Sequence, residues 1–221
     1  MSQTVVITGA NRGIGLALAT LYAAQGQSVF ALCRTSSAAL SALKVNVVTD
    51  IDVATDAGIA NMKQALTHIQ IDVLVCNAGI LRDENLANLN LDTIRAQFEV
   101  NAIAPLRVVE ALQQQLTRGA KVAMITSRMG SIEDNTSGGR YGYRMSKAAL
   151  NAASMSLSHD LAPKEVAVGI YHPGYVQTDM VNHGGDISAT DSASRIVGLI
   201  EQLDMSQSGV FRHSNGQVLP W

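Results

Sequence analysis

Tyr143 and Lys147 stand four residues apart in Tyr-Arg-Met-Ser-Lys, and a glycine-rich stretch, Thr8-Gly-Ala-Asn-Arg-Gly-Ile-Gly15, opens the chain. On a helix, positions i and i+4 share a face, which sets the Lys147 ammonium beneath the Tyr143 phenol. A free phenol titrates near about 10, a poor acid or base at neutral pH. A fixed positive charge beside it favours the phenolate and lowers that value. The pair therefore describes a group that exchanges a proton with an oxygen next to it. Tyrosines and lysines at this spacing also occur by chance on surface helices, so the rest of the chain must carry the assignment. Tyr141 lies close by but has no lysine four residues on, and it is expected to line the substrate pocket instead.

The glycine stretch follows the apolar run Val5-Val6-Ile7 and leads into Leu16-Ala-Leu-Ala-Thr-Leu-Tyr22, the order strand, tight turn, helix. Backbone N–H groups at a helix N-terminus bind a pyrophosphate, and glycines let the backbone come close. Gly9, Gly13 and Gly15 are spaced G-x-x-x-G-x-G, which differs from the commoner G-x-G-x-x-G. A strand–helix junction with no ligand would read similarly; its place at the start of an α/β pattern favours a dinucleotide.

Those elements recur along the chain. Apolar runs suited to buried parallel strands fall at 4–8, 28–33, 45–49, 73–76, 121–126 and 166–171, with a short seventh at 209–211. Helical patterns lie between them at 15–25, 54–68, 91–116, 144–161 and 189–202, while 35–43 reads as a loop or a single helical turn. The rhythm predicts an α/β fold of the Rossmann-like type, a doubly wound parallel sheet of about seven strands with helices on both faces. No repeat, linker or composition shift divides residues 1–221, so one domain is expected.

Composition narrows the function. The chain has 221 residues, is 47% hydrophobic, and carries 18 glycines, four prolines and a formal net charge of −2, with no basic block. Neither nucleic acid nor an anionic membrane is an expected partner. No signal-peptide pattern or unbroken apolar span is evident, and Cys33 and Cys76 sit apart within apolar runs. They read as buried thiols in a reducing, cytoplasmic setting, with no disulfide and no metal site expected.

In such sheets ligands bind at the C-terminal ends of the strands. The polar residues there are Asn77-Ala78-Gly79 after the fourth strand, Ser127 after the fifth, and His172-Pro173-Gly174 with Thr178 and Asp179 after the sixth. Asn101 lies among apolar neighbours in a helical stretch, where it is either a satisfied core amide or a group that binds water and carbonyls near the site.

Taken in order, these residues resemble the short-chain dehydrogenase/reductase family over nearly the whole chain. The family's pattern is met by Thr8 to Gly15, Asn77 to Gly79, Asn101, Ser127, Tyr143 with Lys147, and Pro173-Gly174. The stretches 127–139 and 172–180, and the ending Gly216-Gln-Val-Leu-Pro-Trp221, are most similar to C-factor-like and sniffer-type carbonyl reductases. The resemblance implies reduction of a carbonyl by hydride transfer, with Tyr143 giving the proton to the substrate oxygen. Ser127 would hydrogen-bond where charge develops, a donor worth about 3 kcal/mol. Lys147 would lower the tyrosine pKa and hold the nicotinamide ribose, and Asn101 would position a water relaying protons to Lys147. Cofactor contacts are implied for Gly9, Asn11, Arg12, Gly13, Ile14 and Gly15, for Asn77, Ala78 and Gly79, and for Pro173, Gly174, Val176 and Thr178. Asp52 and Val53 match the pair that flanks the adenine.

Three departures stand out. Cys76 replaces the first asparagine of the family's N-N-A-G turn. Ser127 precedes Tyr143 by 16 residues, a slightly long loop. The segment 175–190 leaves room only for a small substrate loop.

An acid at the end of the second strand would bind the ribose diol of NAD and repel a 2′-phosphate. Leu32-Cys33-Arg34 stands there instead, with Arg12 as a second cation, so NADP(H) is preferred over NAD(H). Met129, Ile132, Tyr141, Tyr175 and Met180 are expected to face the substrate. No cation is evidently aimed at a substrate anion, and a neutral, moderately hydrophobic aldehyde, ketone or quinone is the expected partner. A non-catalytic dinucleotide-binding signalling protein of the C-factor type is the alternative, opposed by the intact Ser127, Tyr143, Lys147 and Asn101 set. An epimerase or dehydratase on a nucleotide sugar would have a longer C-terminal substrate region. Helices 91–116 and 144–161, the second rich in small residues, are expected to pair across a two-fold axis in a homodimer or homotetramer.

Overall fold

In the computed structural model, which describes residues 2–221, seven strands lie in one sheet ordered β3-β2-β1-β4-β5-β6-β7. They are β1 (Thr4–Thr8), β2 (Ser28–Leu32), β3 (Asn46–Val48), β4 (Ile71–Cys76), β5 (Leu116–Ile125), β6 (Ala167–His172) and β7 (Phe211–His213). Every neighbouring pair is parallel. Parallel neighbours need crossovers, and these are the helices α1 (Gly13–Ala24), α2 (Ala38–Ser41), α3 (Asp56–Ala65), α4 (Leu91–Phe98), α5 (Ala104–Leu112), α6 (Tyr141–Asp160) and α7 (Ala189–Gln202).

Period-two alternation along the strands supplies two cores. Val6, Leu74 and Val122 face one side, where they meet Ile59 and Met62 of α3, Val108 and Leu112 of α5 and Leu150 of α6. Val5, Ile7, Val73 and Val75 face the other, against Leu18 and Tyr22 of α1 and Ile196, Val197 and Ile200 of α7. The strand order reverses at β1, whose neighbours are β2 and β4. The turns leaving β1 and β4 therefore open side by side at the C-terminal edge, where a doubly wound sheet has its crevice.

Several boundaries differ from the sequence pattern. The stretch 91–116 is not one helix: α4 ends at Phe98, a π-helical turn spans Glu99–Ile103, and α5 begins at Ala104 with Pro105 in its first turn. Proline has no N–H to offer the Asn101 carbonyl four residues back, so the α-helical ladder cannot run through this point. Leu116 belongs to β5, opposite Ile71, and a register shift before Val73 lets the polar Thr117, Arg118 and Gly119 pass within the strand. α6 starts at Tyr141 rather than Arg144, which brings Arg144 into its first turn. β7 lies two residues later than expected because Gly209, at φ +81°, makes the turn before it. The Ser/Ala-rich stretch forms the single helical turn α2, capped by Ser37, whose hydroxyl accepts from Leu40 N at 3.2 Å. Among the described residues, no helix is long and apolar enough to cross a membrane.

Candidate active site

The turns after β1 and β4 are built against each other. Thr8 Oγ1 accepts from Asn77 N at 3.0 Å and Ala78 N at 3.1 Å. Asn77 Nδ2 donates to the carbonyls of Thr8 and Gly9 at 3.0 and 3.1 Å. Gly9 adopts φ +67°, and a Cβ there would come within 2.9 Å of Ala78 Cα. A Cβ on Gly15 would meet the Gly9 carbonyl oxygen at 2.2 Å. Only glycine fits at either place. Arg12 occupies the N-cap position of α1 without a side-chain cap, and no acid lies in the first turn, so nothing on α1 itself answers its positive end. Such a cradle fits the pyrophosphate of a dinucleotide, held by this turn's N–H groups.

The other expected cofactor residues border the same edge. Asp52 follows β3, its Oδ1 accepting from Ala54 N at 3.1 Å, and Val53 is buried. Arg34 is exposed just after β2, and among the described residues its guanidinium has no hydrogen-bond or ion-pair partner. Arg12 differs, since it pairs with Asp179 at 3.5 Å, and His183 Nε2 meets the same carboxylate at 3.2 Å. Asn11 Nδ2 donates to the Thr35 carbonyl at 2.9 Å, tying the turn to the segment after β2. Ile14 is half-buried, Gly13 packs beside Thr178, and Val176 is buried, with Pro173 and Gly174 between it and β6. The Pro173 carbonyl is fixed by Ser192 Oγ at 2.7 Å and Ser214 Oγ at 3.0 Å.

On the other side of the edge, α6 presents Tyr143 and Lys147 on one face. Lys147 is 4% exposed, with Nζ 5.9 Å from the centroid of the Tyr143 ring, and it donates to the Ile125 carbonyl at 2.9 Å. Ser127 is buried at the end of β5. Its Oγ accepts from Met129 N at 3.1 Å, which leaves the hydroxyl proton free for a further acceptor. The electrostatics differ from the sequence expectation. Burial pushes the Tyr143 phenol up, while the nearby Ser127 hydroxyl and the Arg140 charge work against that rise. Burial also lowers Lys147, to about 8. The downward pull on the phenol thus comes from Ser127 and Arg140, a cation the sequence pattern gave no reason to single out.

Asn101 lies in the π-helical turn and is fully buried. Its Oδ1 accepts from Ile80 N at 2.8 Å, and its Nδ2 donates to the Ile80 carbonyl at 2.8 Å and to Ser146 Oγ at 3.0 Å. The side chain is spent on the Ile80 backbone and on Ser146 Oγ, and Pro105 has no N–H to offer the Asn101 carbonyl. The signal was visible as a proline inside a helical pattern. Cys76 is wholly enclosed, and burial pushes its thiol up to about 12, so it stays protonated.

The five residues expected to face the substrate are spread out. Tyr141, Tyr175 and Met180 are exposed at the mouth and Met129 is half-buried. Ile132 is 81% exposed, and its N–H donates to the Trp221 carbonyl at 3.0 Å. Beside Met129 opens a cavity of about 390 Å³ whose lining includes Arg140 and Arg144. Asp83 and Glu84 line the same cavity, so both signs of charge border it. Among the described residues, no group of three or more His, Cys, Asp or Glu side chains is placed to hold a metal.

Known proteins share this fold and family pattern. The family model described as short chain dehydrogenase matches residues 3–186. The 1-hydroxy-2-glutathionyl-2-methyl-3-butene dehydrogenase of Rhodococcus sp. (strain AD45) is 36% identical over 99% of this chain and 100% of its own. The C-signal protein of Myxococcus xanthus is 42% identical over 68% of this chain and 93% of its own. The NADPH-bound carbonyl reductase from chicken fatty liver superposes with a TM-score of 0.89 at 28% identity, covering 100% of this chain and 99% of that one. This chain belongs to the short-chain dehydrogenase family and is an oxidoreductase of that family.

Proposed function

We propose that the protein is an NADP(H)-dependent carbonyl reductase or alcohol dehydrogenase in which Tyr143 is the proton donor. The observation that carries the reading is the convergence of Ser127, Tyr143 and Lys147, all buried, on the sheet edge that also holds the Gly9–Gly15 turn. When bound, the dinucleotide supplies the hydride to a carbonyl carbon, or accepts it in reverse. Tyr143 passes its proton to the carbonyl oxygen as charge grows there. Ser127 donates its free hydroxyl proton to the same oxygen, preorganised by Met129 N. Lys147, with Asn77, Ala78 and Gly79, would lie against the nicotinamide ribose, while Ser127 and the Arg140 charge favour the phenolate left behind. The exposed Arg34 offers its planar donor fork to a 2′-phosphate, and with no acid at the end of β2 this favours NADP(H) over NAD(H). The NADPH carried by the chicken carbonyl reductase supports the same choice.

The Rhodococcus relative's name gives a glutathionyl-bearing alcohol, so a conjugate of that class joins simple aldehydes, ketones and quinones as a candidate substrate. Identity of 42% with C-signal keeps a signalling role as the second reading, for which no proton-transferring set is needed. Following NADPH oxidation over a panel of aldehydes, ketones and quinones, and NADP+ reduction by glutathionyl alcohols, decides between them. Turnover of any member supports the enzyme; tight NADPH binding with no turnover across the panel favours the signalling role.

A further inference from the structure

We infer that Arg140 and Arg144 form a subsite for a carboxylate on the substrate's non-reacting arm, so that this enzyme selects carbonyl compounds and alcohols bearing an anionic tail. The inference rests on the reductase reading and names its substrate class. The subsite is the arginine-bearing part of a cavity of about 390 Å³ bordered by Met129, Ser137, Gly138 and the two arginines, and also by Asp83, Glu84 and Asn85. It adjoins the catalytic residues: Met129, which lines it, donates its N–H to Ser127 Oγ at 3.1 Å, and Arg140 caps the helix whose first turn carries Tyr143.

The loop before α6 is shaped to bring both cations there. Gly138, Gly139 and Arg140 follow one another with φ of +62°, +62° and +50°. Arg140 holds this left-handed conformation, costly for a side chain with a Cβ, through its N–H, which donates to the Glu84 carbonyl at 2.7 Å. Arg144 is one turn into the helix and donates to the Gly138 carbonyl at 3.3 Å and Ser137 Oγ at 2.9 Å, both neutral. No carboxylate lies within ion-pair reach of it among the described residues. Burial and the Arg140 charge both work against its proton, and only the charge of Asp134, itself held by Arg128, pulls the other way.

Nearby acids do not fill this role. Asp83, which also lines the cavity, pairs with Arg140 at 2.9 Å and is 72% exposed in its side chain. Glu84 turns towards α4, where Thr93 Oγ1 and Gln97 Nε2 donate to its Oε1 at 2.6 and 2.7 Å and its Oε2 is shut from solvent. Asp134 is engaged by Arg128. An arriving carboxylate would take Arg144 directly and draw Arg140 from its exposed partner, a bidentate geometry that guanidinium groups favour.

The test is steady-state NADPH oxidation with aldehydes that end in a carboxylate, of graded chain length, each against its methyl ester. At the matching length the carboxylate should show a KM about tenfold below that of its ester, as expected for a charge-assisted contact. Added salt should shrink the difference, and Arg144→Gln should bring the KM ratio to about one. Equal KM values at every length, or a preference that survives in Arg144→Gln, overturns the subsite. Calorimetric titration with S-methylglutathione in the presence of NADP+ reads the subsite without turnover. Binding that is lost in Arg144→Gln supports it, and no binding to the wild type overturns it. Aldehydes that are never reduced, together with S-methylglutathione binding that needs Arg144, would reject the reductase reading and keep the anion site.

Discussion

Thr8 and Asn77 lock together the two turns at the switch point of the sheet: Asn77 N donates to Thr8 Oγ1, and Asn77 Nδ2 donates back to the Thr8 carbonyl, each at 3.0 Å. The glycine turn and the Asn77–Gly79 turn thus move as one, although 69 residues separate them in the chain. Thr8→Val keeps the shape of the side chain and removes an acceptor that serves two N–H groups. Each unpaired group costs about 1–3 kcal/mol. At roughly 2–4 °C per kcal/mol for a domain of this size, Tm should fall by several degrees, with weakened NADPH binding. A variant with wild-type Tm and affinity would show that the lock is dispensable.

Arg34→Ala should weaken NADPH binding about tenfold or more and leave NADH affinity little changed, since only one of the two carries the 2′-phosphate. Fluorescence titration of both cofactors measures this. Equal losses would show that Arg34 does not read the phosphate. Arg12→Ala should have the smaller effect, because Arg12 is already committed to Asp179.

Lys147 carries a prediction in pH. Burial holds it at about 8 in the folded protein, below its ordinary value of 10.5. The unfolded chain therefore binds more protons than the folded one between these values, and this residue's contribution to stability rises as pH climbs through that interval. Urea unfolding should show the wild type gaining on Lys147→Met from about 8 to 10.5, and parallel curves would contradict the assignment. Lys147→Ala should also lower both turnover and NADPH affinity. A purely kinetic loss would remove it from the ribose contact.

The helical face opposite the sheet exposes Leu91, Leu106, Met145 and Met155, alongside the small residues Ala152 and Ser156. An isologous pairing of this face in a second copy would cover them, as a homodimer or within a homotetramer. Light scattering at micromolar concentration should give at least twice the mass of one chain, and a value near 23.4 kDa would reject pairing.

Much of this was legible in residue order. Val5-Val6-Ile7 before Gly9, and Tyr143 four before Lys147, are local patterns, and local patterns fix elements and faces. What stayed hidden depends on partners far along the chain. Arg12 looked like a free phosphate ligand because Asp179 is 167 residues away. Asn101 looked ready to hold water with its amide, yet Ile80 and Ser146 occupy it. Pro105 lies inside the stretch read as one long helix, and a proline in a first turn and one in a helix interior read alike until the π-helical turn is seen. The start of α6 was read late because Gly138, Gly139 and Arg140 are a left-handed run, and only the Glu84 carbonyl shows why an arginine ends it.

The proton donor is tested most directly by NADPH oxidation with Tyr143→Phe, measured beside NADPH affinity on the same preparation. Turnover should fall by about a hundredfold or more, the usual worth of a positioned acid, while the affinity changes by no more than about twofold. Wild-type turnover in Tyr143→Phe would contradict the account, because no other buried hydroxyl on α6 stands over Lys147 and beside Ser127.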